Sequence, residues 1–417
     1  MAHATHATDE GIKTPQTTIE PVKTQERIDM LDILRGFAIF GILVVNIAGM
    51  AGPVWLPGYT SPVLPWYDEV AETLVNFLAL GKFYVIFSFL FGLGFSIQMA
   101  RADEKGKDLR SFYPRRLWVL FALGLIHSTF FFIGDILRHY ALLGFLLMVF
   151  RKRRDKTLLV WSGVFMVIGF ITLGLMGGPL ALGTSGGDLP PEMAGILPMA
   201  RDLYANGNFF QVALFQVGAS LFSFVIVFMT QGGTVMAMFL LGLLAGRRQF
   251  FQRLKEHQQT LKTLFLWGLV LGVSLNAAFI LFAEIPWLST FFWTLGAPVL
   301  GGAYIAGLCL LRLSASKAKW VTPLGNVGRM ALTNYLIHSL IGALFFNGYG
   351  LGYYEQVGAA GLWGITILIF LAQIPFSAWW LSRFRFGPME WLWRSLTYRR
   401  RQPFKRNQLA PESLKVI

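Results

Sequence analysis

Long apolar stretches alternate with short polar segments along most of the chain. A helix needs about 20 apolar residues to cross a bilayer, and about ten stretches approach or reach that length. The pattern therefore predicts an all-α integral membrane protein with about ten transmembrane helices. We expect these spans at about 33–52, 76–99, 116–134, 137–150, 157–177, 220–246, 263–282, 290–311, 328–346 and 361–382.

Lysine and arginine cluster in every second polar segment. Six lie between Arg101 and Arg116, five between Arg151 and Lys156, and eight between Arg383 and Arg406. Cytoplasmic loops carry an excess of these residues, so the clusters are expected on the cytoplasmic side. The alternate segments have Arg201 as their only clear cation. The pattern predicts that both termini are cytoplasmic.

The apolar stretch 209–246 is almost two span lengths long and is interrupted by polar and glycine residues at 230–233. Two spans here would move Arg247 to the outer side and invert every later segment. The charge pattern therefore favours one long or broken helix at about 220–246. We expect an outer loop with a surface helix before it, at about 178–219.

The composition excludes a soluble globular protein. Hydrophobic residues make up 55% of the chain and charged residues only 14%, against about 25% charged in a soluble domain. The net charge of +14 lies in separate short loops. This distribution disfavours nucleic-acid binding and makes the bilayer and its anionic phospholipid headgroups the expected partners. The sequence leaves a homodimer and the identity of any small-molecule substrate open.

Three regions follow from these patterns. Residues 1–28 are polar, rich in threonine and lack an apolar core, which is typical of a disordered tail; we place it in the cytoplasm. Residues 29–395 form the helical membrane domain, and 396–417 form a basic cytoplasmic tail.

An ionisable or polar side chain inside a span is costly and marks a candidate functional site. Several such groups fall near the outer ends of the first four spans, and we predict that they share one polar cavity. They are Asn46, Lys82, His127, Asp135, Arg138 and His139.

The spacing after the third span supports pairing between these groups. Asp135 lies three residues before Arg138 and four before His139, so in a helix all three share a face. The alternative is a tight hairpin capped by Asp135, with Arg138 reaching the headgroups. Lys82 either binds an anion or a carbonyl group or lies in the interface. His127 is either a general base or a satisfied core histidine.

A second polar group lies in the ninth span. Asn334 and His338 are four residues apart and share a helix face, next to Thr333, Tyr335 and Ser339. The group is either a substrate contact or a set of hydrogen bonds between helices. The chain has no HExxH, GxxxxGK[ST] or GxSxG motif, so we predict no metal site, and the sequence requires no cofactor.

Four blocks of this sequence resemble the YeiB family of bacterial inner-membrane proteins. They are LDILRGFAIFGILVVNI at 31–47, GKFYVIFSFLFGLGFSIQ at 81–98, RRLWVLFALGLIHSTFFFIGDILRHYALLG at 115–144 and VGRMALTNYLIHS at 327–339. The resemblance covers about 31–395. It implies a multi-pass protein of the bacterial inner membrane with a C-terminal domain of unknown function.

The first two blocks are also similar to the membrane acetyltransferase that acts on heparan α-glucosaminide. This resemblance implies a transmembrane acyltransferase fold, in which Asn46 matches the Asn of the enzyme's VN motif. That enzyme has a catalytic His in the loop before its second span, whereas loop 53–75 of this chain has none. His127 or His139 would therefore have to act as the base.

The leading hypothesis is transfer of an acyl group from a cytosolic donor, with acyl-coenzyme A as the candidate, to an envelope acceptor. His127 would take the proton of the acceptor, Asn46 and Lys82 would stabilise the oxyanion, and Asp135 would orient His139 or Arg138. The alternatives are a permease for a small anionic solute, in which Lys82 and Arg138 bind charge and His127 relays protons, and a scaffold without catalysis.

Overall fold

The computed structural model describes residues 29–54, 56, 59, 64–106, 108–182, 195–314 and 318–406, with the backbone alone described for 176–182. Within these ranges the chain is helical and contains no strand; Phe384 and Lys405 form an isolated bridge. The tail predicted at 1–28, the loop 183–194 and the end of the chain after 406 lie outside the described residues.

In chain order the helices are α1 Asp29–Ala51, α2 Trp66–Leu78, α3 Lys82–Glu104, α4 Tyr113–Phe130, α5 Leu137–Val149, α6 Asp155–Leu182, α7 Ile196–Asn206, α8 Phe209–Arg247, α9 Gln258–Leu281, α10 Pro286–Leu313, α11 Ala318–Val321, α12 Leu324–Arg329, α13 Ala331–Phe346, α14 Ala359–Arg383 and α15 Pro388–Tyr398. A short 3₁₀ helix, Leu109–Ser111, precedes α4.

Seven helical segments of the described chain are long and apolar enough to cross a membrane. They are α1, the α2–α3 segment, α6, α8, α9, α10 and α14, while α5 and α13 are shorter apolar helices. Each of the ten predicted spans coincides with one helix: α1, α3, α4, α5, α6, α8, α9, α10, α13 or α14. The chain is therefore a helical protein of membrane type, and the count of ten and the sidedness stay predictions.

The stretch 209–246 forms one continuous helix of 39 residues, α8. This agrees with the argument from the charge pattern, which favours one helix here rather than two spans. Of the two alternatives, a long or a broken helix, the long one is present: the helix continues through 230–233, where Gly233 packs closely against Gly169 of α6. At about 1.5 Å per residue α8 is roughly 58 Å long, well beyond the apolar thickness of a bilayer.

The start of α8 corrects the predicted boundary of the surface helix. Residues 209–219 were expected in the outer loop, but they form the first turns of α8. The cause is a capping box: Asn208 Oδ1 accepts hydrogen bonds from the Phe210 and Gln211 amides, and Gln211 Oε1 accepts one from the Asn208 amide. This pattern fixes a helix start at 209. The separate helix within the expected loop is α7.

The centre of the protein is the crossing of α3 and α8. Gly92 of α3 lies against the Phe239 carbonyl, and Gly242 of α8 lies against the Phe89 carbonyl. An added Cβ at either glycine would overlap the carbonyl oxygen. On the outside of the bundle, apolar side chains such as Leu266 of α9 are mostly exposed, as expected for a surface covered by lipid.

Helices α1, α4 and α13 run in the same direction and end at the same end of the bundle. Near their starts, Gly36 of α1 packs on Leu324, just before α13. Near their ends, Met50 of α1 packs on Gly342 of α13. The last turn of α4 also meets the middle of α13, as the contact between His127 and Ser339 shows below. The positive-inside pattern predicts that this is the outer end.

Helix α15 ties the opposite ends of α4 and α13 together. Glu390 Oε1 accepts hydrogen bonds from the first amides of α13, Leu332 N at 2.7 Å and Thr333 N at 3.1 Å. Trp393 Nε1 donates to the Arg116 carbonyl of α4 at 2.9 Å, and the Arg116 guanidinium lies 3.6 Å from the Trp393 ring centre. These contacts fix the relative depth of α4 and α13.

We expect Gly242→Ala to lower the free energy of unfolding by about 1–3 kcal/mol, because the added methyl group forces α3 and α8 apart. Gly218→Ala, in the same helix but with open space around it, should be neutral or stabilising by up to about 1 kcal/mol. Unfolding in mixed micelles, followed by circular dichroism, compares the two. Equal shifts would contradict the close crossing at Gly242.

Candidate functional site

His127 joins the side chain of Asp135, in the turn that follows α4, to that of Ser339, in α13. Its Nδ1 lies 2.8 Å from Asp135 Oδ2, and its Nε2 lies 2.8 Å from Ser339 Oγ. His127 and Asp135 are each 1% exposed and Ser339 is 0% exposed. We refer to Ser339, His127 and Asp135 as the triad.

The partners of His127 fix where its proton lies. An ionised carboxylate can only accept hydrogen bonds, so Nδ1 carries the proton and donates it to Asp135 Oδ2. In the neutral ring, Nε2 then has a free lone pair, and the Ser339 hydroxyl donates to it. The triad therefore holds an imidazole in the tautomer that can remove a proton from a hydroxyl group.

Asp135 is positioned by the turn between α4 and α5. Its Oδ1 accepts a hydrogen bond from the Arg138 amide at 3.0 Å and lies 3.5 Å from Arg138 Nε. The carboxylate thus lies at the start of α5, where free amides stabilise negative charge. Gly124 makes room for it, because a Cβ there would lie 2.7 Å from Oδ1. The pairing predicted for Asp135 with Arg138 is present, and so is the predicted turn cap.

The predicted pairing of Asp135 with His139 is not formed among the described residues. The His139 ring turns toward α8, where Nε2 donates to the Phe224 carbonyl at 2.9 Å. Arg138 reaches the same helix, since its Nη2 donates to the Ser220 carbonyl at 3.1 Å. Arg138 and His139 both lie in the first turn of α5, which begins at Leu137, but of the two side chains only that of Arg138 also lies beside the Asp135 carboxylate.

Lys82 is buried, but it does not join the triad. Its Nζ donates to the Asn76 carbonyl at 3.0 Å, and no ion pair links it to Asp135 among the described residues. The turn after α2, with Gly81 at φ 86°, folds the chain back so that the amine meets the last turn of α2. A cation at a helix C-terminus is stabilising. Lys82 thus binds a carbonyl of the chain itself, and its role toward a substrate stays a prediction.

Asn46 lies at the depth of Ser339 without a hydrogen bond to any described residue. It is partly buried and precedes Met50 by one turn of α1. Because Met50 packs on Gly342 and the two helices are parallel, Asn46 lies level with the turn of α13 that contains Ser339. Its role toward a substrate stays a prediction.

Asn334 and His338 form the interface between α13 and α14. Asn334 Nδ2 donates to the Val327 carbonyl at 3.1 Å and to Ser377 Oγ at 3.2 Å, and His338 Nε2 donates to Gln373 Oε1 at 2.8 Å. Both side chains are buried. This is the hydrogen-bonded alternative of the sequence analysis, and no substrate contact follows from it.

Ser339 and Tyr335 belong to the polar group predicted in the ninth span, for which a contact with His127 was not predicted. The two residues are four apart and form a second polar face of α13, next to the Asn334–His338 face. The Tyr335 ring centre lies 4.9 Å from that of His127, and its buried hydroxyl lies beside the Ile136 backbone without a hydrogen bond to a side chain of the described residues. The i, i+4 spacing of Tyr335 and Ser339 indicates in the sequence that the two share a helix face, but it does not identify His127 as their neighbour.

A crevice with room for about one water molecule lies directly outside the triad. It begins at the rings beside His127 and at Ala343, one turn beyond Ser339 on α13. Burial raises the pKa of Tyr204, which lines the crevice, so its phenol stays neutral at physiological pH. The lining residues are Gly49, Met50, Phe131, Phe132, Ile133, Tyr204, Gln216, Ala343 and Asn347.

No group of three or more His, Cys, Asp or Glu that could hold a metal occurs in the part of the chain that the structure describes. The site itself holds an oriented imidazole beside a hydroxyl group. Such an arrangement supports proton transfer and nucleophilic attack.

Comparisons with known proteins identify the family. The model of the family described as "Protein of unknown function (DUF418)" matches residues 245–400. The uncharacterized protein YxaH of Bacillus subtilis is 34% identical over 408 residues, which are 93% of this chain and 98% of that protein. The uncharacterized protein YeiB of Escherichia coli is 30% identical over 398 residues, 91% of this chain and 98% of that protein.

The chain belongs to the YeiB family. A further relative, the uncharacterized 39.9 kDa protein in the amylase 3′ region of Bacillus acidopullulyticus, is 32% identical over 92% of this chain and 98% of its own length. The resemblance read from the four sequence blocks is thereby confirmed. The matched segment 245–400 contains Ser339, while His127 and Asp135 precede it.

Removal of the Asp135 carboxylate should destabilise the fold strongly. Asp135→Ala leaves Arg138 buried without its partner, and we expect a loss of about 3–5 kcal/mol in the free energy of unfolding. Glu355→Ala is the control, because the Arg201–Glu355 pair is exposed and such pairs contribute at most about 1 kcal/mol. Similar losses in thermal unfolding of the two variants would contradict the structural role of Asp135.

Proposed function

We propose that this protein is an acyltransferase of the bacterial inner membrane, in which His127 is the general base. It moves an acyl group from a thioester donor, acyl-coenzyme A, to a hydroxyl or amine acceptor on an envelope glycan or lipid. The observation that carries the proposal is the bridge that His127 makes between the Asp135 carboxylate and a hydroxyl group.

The geometry suits proton transfer in both directions. Nε2 of neutral His127 removes the proton of an attacking hydroxyl, and the resulting imidazolium lies 2.8 Å from the Asp135 carboxylate, which stabilises its charge. The imidazolium then donates that proton to the leaving group. A positioned base of this kind contributes about 10²–10⁴ to the rate of a proton-coupled step.

The proposed topology gives donor and acceptor separate routes. Ten spans with cytoplasmic termini put the basic loops on the inner side, where they attract the phosphates of coenzyme A and anionic phospholipid headgroups. The same topology puts the crevice at the outer side, next to Tyr204 and Asn347. An acceptor from the envelope would reach His127 through this crevice.

Two contacts favour transfer over transport of a small anion. In a permease, Lys82 and Arg138 would present free charge to the solute. Here the Lys82 amine binds the Asn76 carbonyl, and Arg138 binds Asp135 and the Ser220 carbonyl. Both cations are therefore engaged by the chain, whereas the His127 lone pair faces a reactive hydroxyl.

Turnover of acyl-coenzyme A tests the proposal. Purified protein in nanodiscs is incubated with acetyl-coenzyme A and envelope extract, and the released thiol is measured. We expect His127→Gln to slow release at least about 100-fold, because the base is lost. His257→Gln is the matched control, since His257 stacks on Phe250 at the start of α9, away from the triad.

The outcomes separate clearly. Release that is slowed by His127→Gln and unchanged by His257→Gln supports the proposal. Release at the same rate from the His127→Gln variant, or none from the unmodified protein, contradicts it.

A further inference from the structure

We infer that Ser339 is the nucleophile of this reaction and carries the acyl group covalently between donor and acceptor. The inference rests on the proposed acyl transfer and adds a residue and an intermediate to it. The supporting observation is that the buried Ser339 hydroxyl lies 2.8 Å from His127 Nε2. The Asp135 carboxylate orients this imidazole from its other side.

The hydroxyl of Ser339 is placed differently from an ordinary helical serine. Buried serines in apolar helices usually donate to a backbone carbonyl of the preceding turn, as Ser88 does to the Tyr84 carbonyl at 2.7 Å and Thr294 does to the Thr290 carbonyl at 2.8 Å. Ser339 donates to His127 Nε2 instead. A serine, a base in hydrogen-bond contact and a third group that orients the base are the three parts of an activated nucleophile.

The first half-reaction balances with these residues alone. Ser339 Oγ attacks the carbonyl carbon of the thioester while its proton passes to His127 Nε2. The new oxygen–carbon bond forms, the carbon–sulfur bond breaks, and the proton moves from His127 to the leaving thiolate. In the second half-reaction the acceptor oxygen or nitrogen attacks the acyl carbon, and the bond between that carbon and Ser339 Oγ breaks. The proton of the acceptor passes through His127 to Ser339 Oγ.

The oxyanion formed in each half-reaction needs a hydrogen-bond donor. Amides in the middle of α13 are already used by the helix, so a side chain must supply it. Tyr335 is one turn before Ser339 on the same face, is 4% exposed, and its hydroxyl makes no hydrogen bond to a side chain of the described residues. The Ile136 backbone lies beside this hydroxyl, and its proton is available to a carbonyl oxygen bound beside Ser339. We assign Tyr335 as this donor.

Access to Ser339 is through the crevice described above. Its wall includes Ala343, one turn beyond Ser339, and Phe131, whose ring centre lies 6.5 Å from that of His127. The crevice thus lies beside the triad, although none of the three triad residues lines it.

A small alkyl fluorophosphonate tests the nucleophile directly, without knowledge of the acceptor. Ser339 Oγ attacks phosphorus, fluoride leaves, and a stable adduct remains. Peptide mass spectrometry of the purified full-length protein should find one adduct, on Ser339. Ser339→Ala should abolish the adduct, while Ser289→Ala should not change it, because the buried Ser289 hydroxyl donates to the Phe279 carbonyl and contacts no histidine.

Substitutions of the residues around Ser339 should change the rate at which the phosphonate labels the protein. His127→Gln should slow labelling at least about 100-fold, and Tyr335→Phe about 100- to 1,000-fold. Ser339→Cys in a Cys309→Ala background keeps a nucleophile, so its thiol should react with iodoacetamide faster when His127 is present. An unlabelled Ser339 in the unmodified protein, or a label that survives Ser339→Ala, overturns the inference.

A second readout separates this inference from the proposed function. Protein incubated with acetyl-coenzyme A and quenched in acid should carry the acetyl group on Ser339. If thiol release depends on His127 but Ser339→Ala releases thiol at the full rate without an acyl-protein, transfer is direct, and only the covalent intermediate is wrong. If no release depends on His127 while Ser339 is still phosphonylated, the acyl-coenzyme A donor is wrong and the nucleophile is retained.

Discussion

The Asp135 carboxylate has both of its oxygens engaged, and the rest of the site depends on that. Oδ1 receives the Arg138 amide and lies near its guanidinium, while Oδ2 receives the proton of His127 Nδ1. A carboxylate that is 1% exposed would be unfavourable in an apolar bundle without such partners. The same contacts that make it tolerable also start α5 and orient the imidazole toward α13.

The triad also depends on contacts at the opposite end of the bundle. Glu390 caps the start of α13, and Trp393 of the same helix, α15, contacts Arg116 of α4. Because both helices are held at their starts, His127 near the end of α4 and Ser339 in α13 arrive at the same depth. Contacts at one end of the bundle can position a site at the other end only if the rise per residue along α4 and α13 is fixed, as it is in an α-helix.

Much of the fold could be predicted from apolar periodicity and charge, because lipid requires long apolar helices with satisfied backbones. The start of α8 was wrong by about three turns, since apolarity alone does not reveal that Asn208 and Gln211 form a capping box. Of the site, the pairing of Asp135 with Arg138 followed from local spacing. His139 does not pair with Asp135, because its ring contacts α8, and the Lys82 amine contacts the end of α2, because the turn at Gly81 folds the chain back. Ser339 could not be assigned to His127, since a contact between the third and ninth spans has no local sequence signal.

The tautomer of His127 tests the central claim most directly. Nitrogen-15 NMR of histidine-labelled protein in lipid bilayers, with His127→Gln to assign the resonance, reports which ring nitrogen carries the proton. The account predicts a proton on Nδ1, shifted downfield by the bond to Asp135, and a bare Nε2, with both features lost in Asp135→Asn. A proton on Nε2 and a bare Nδ1 in the neutral ring would contradict the orientation of the imidazole and the activation of Ser339.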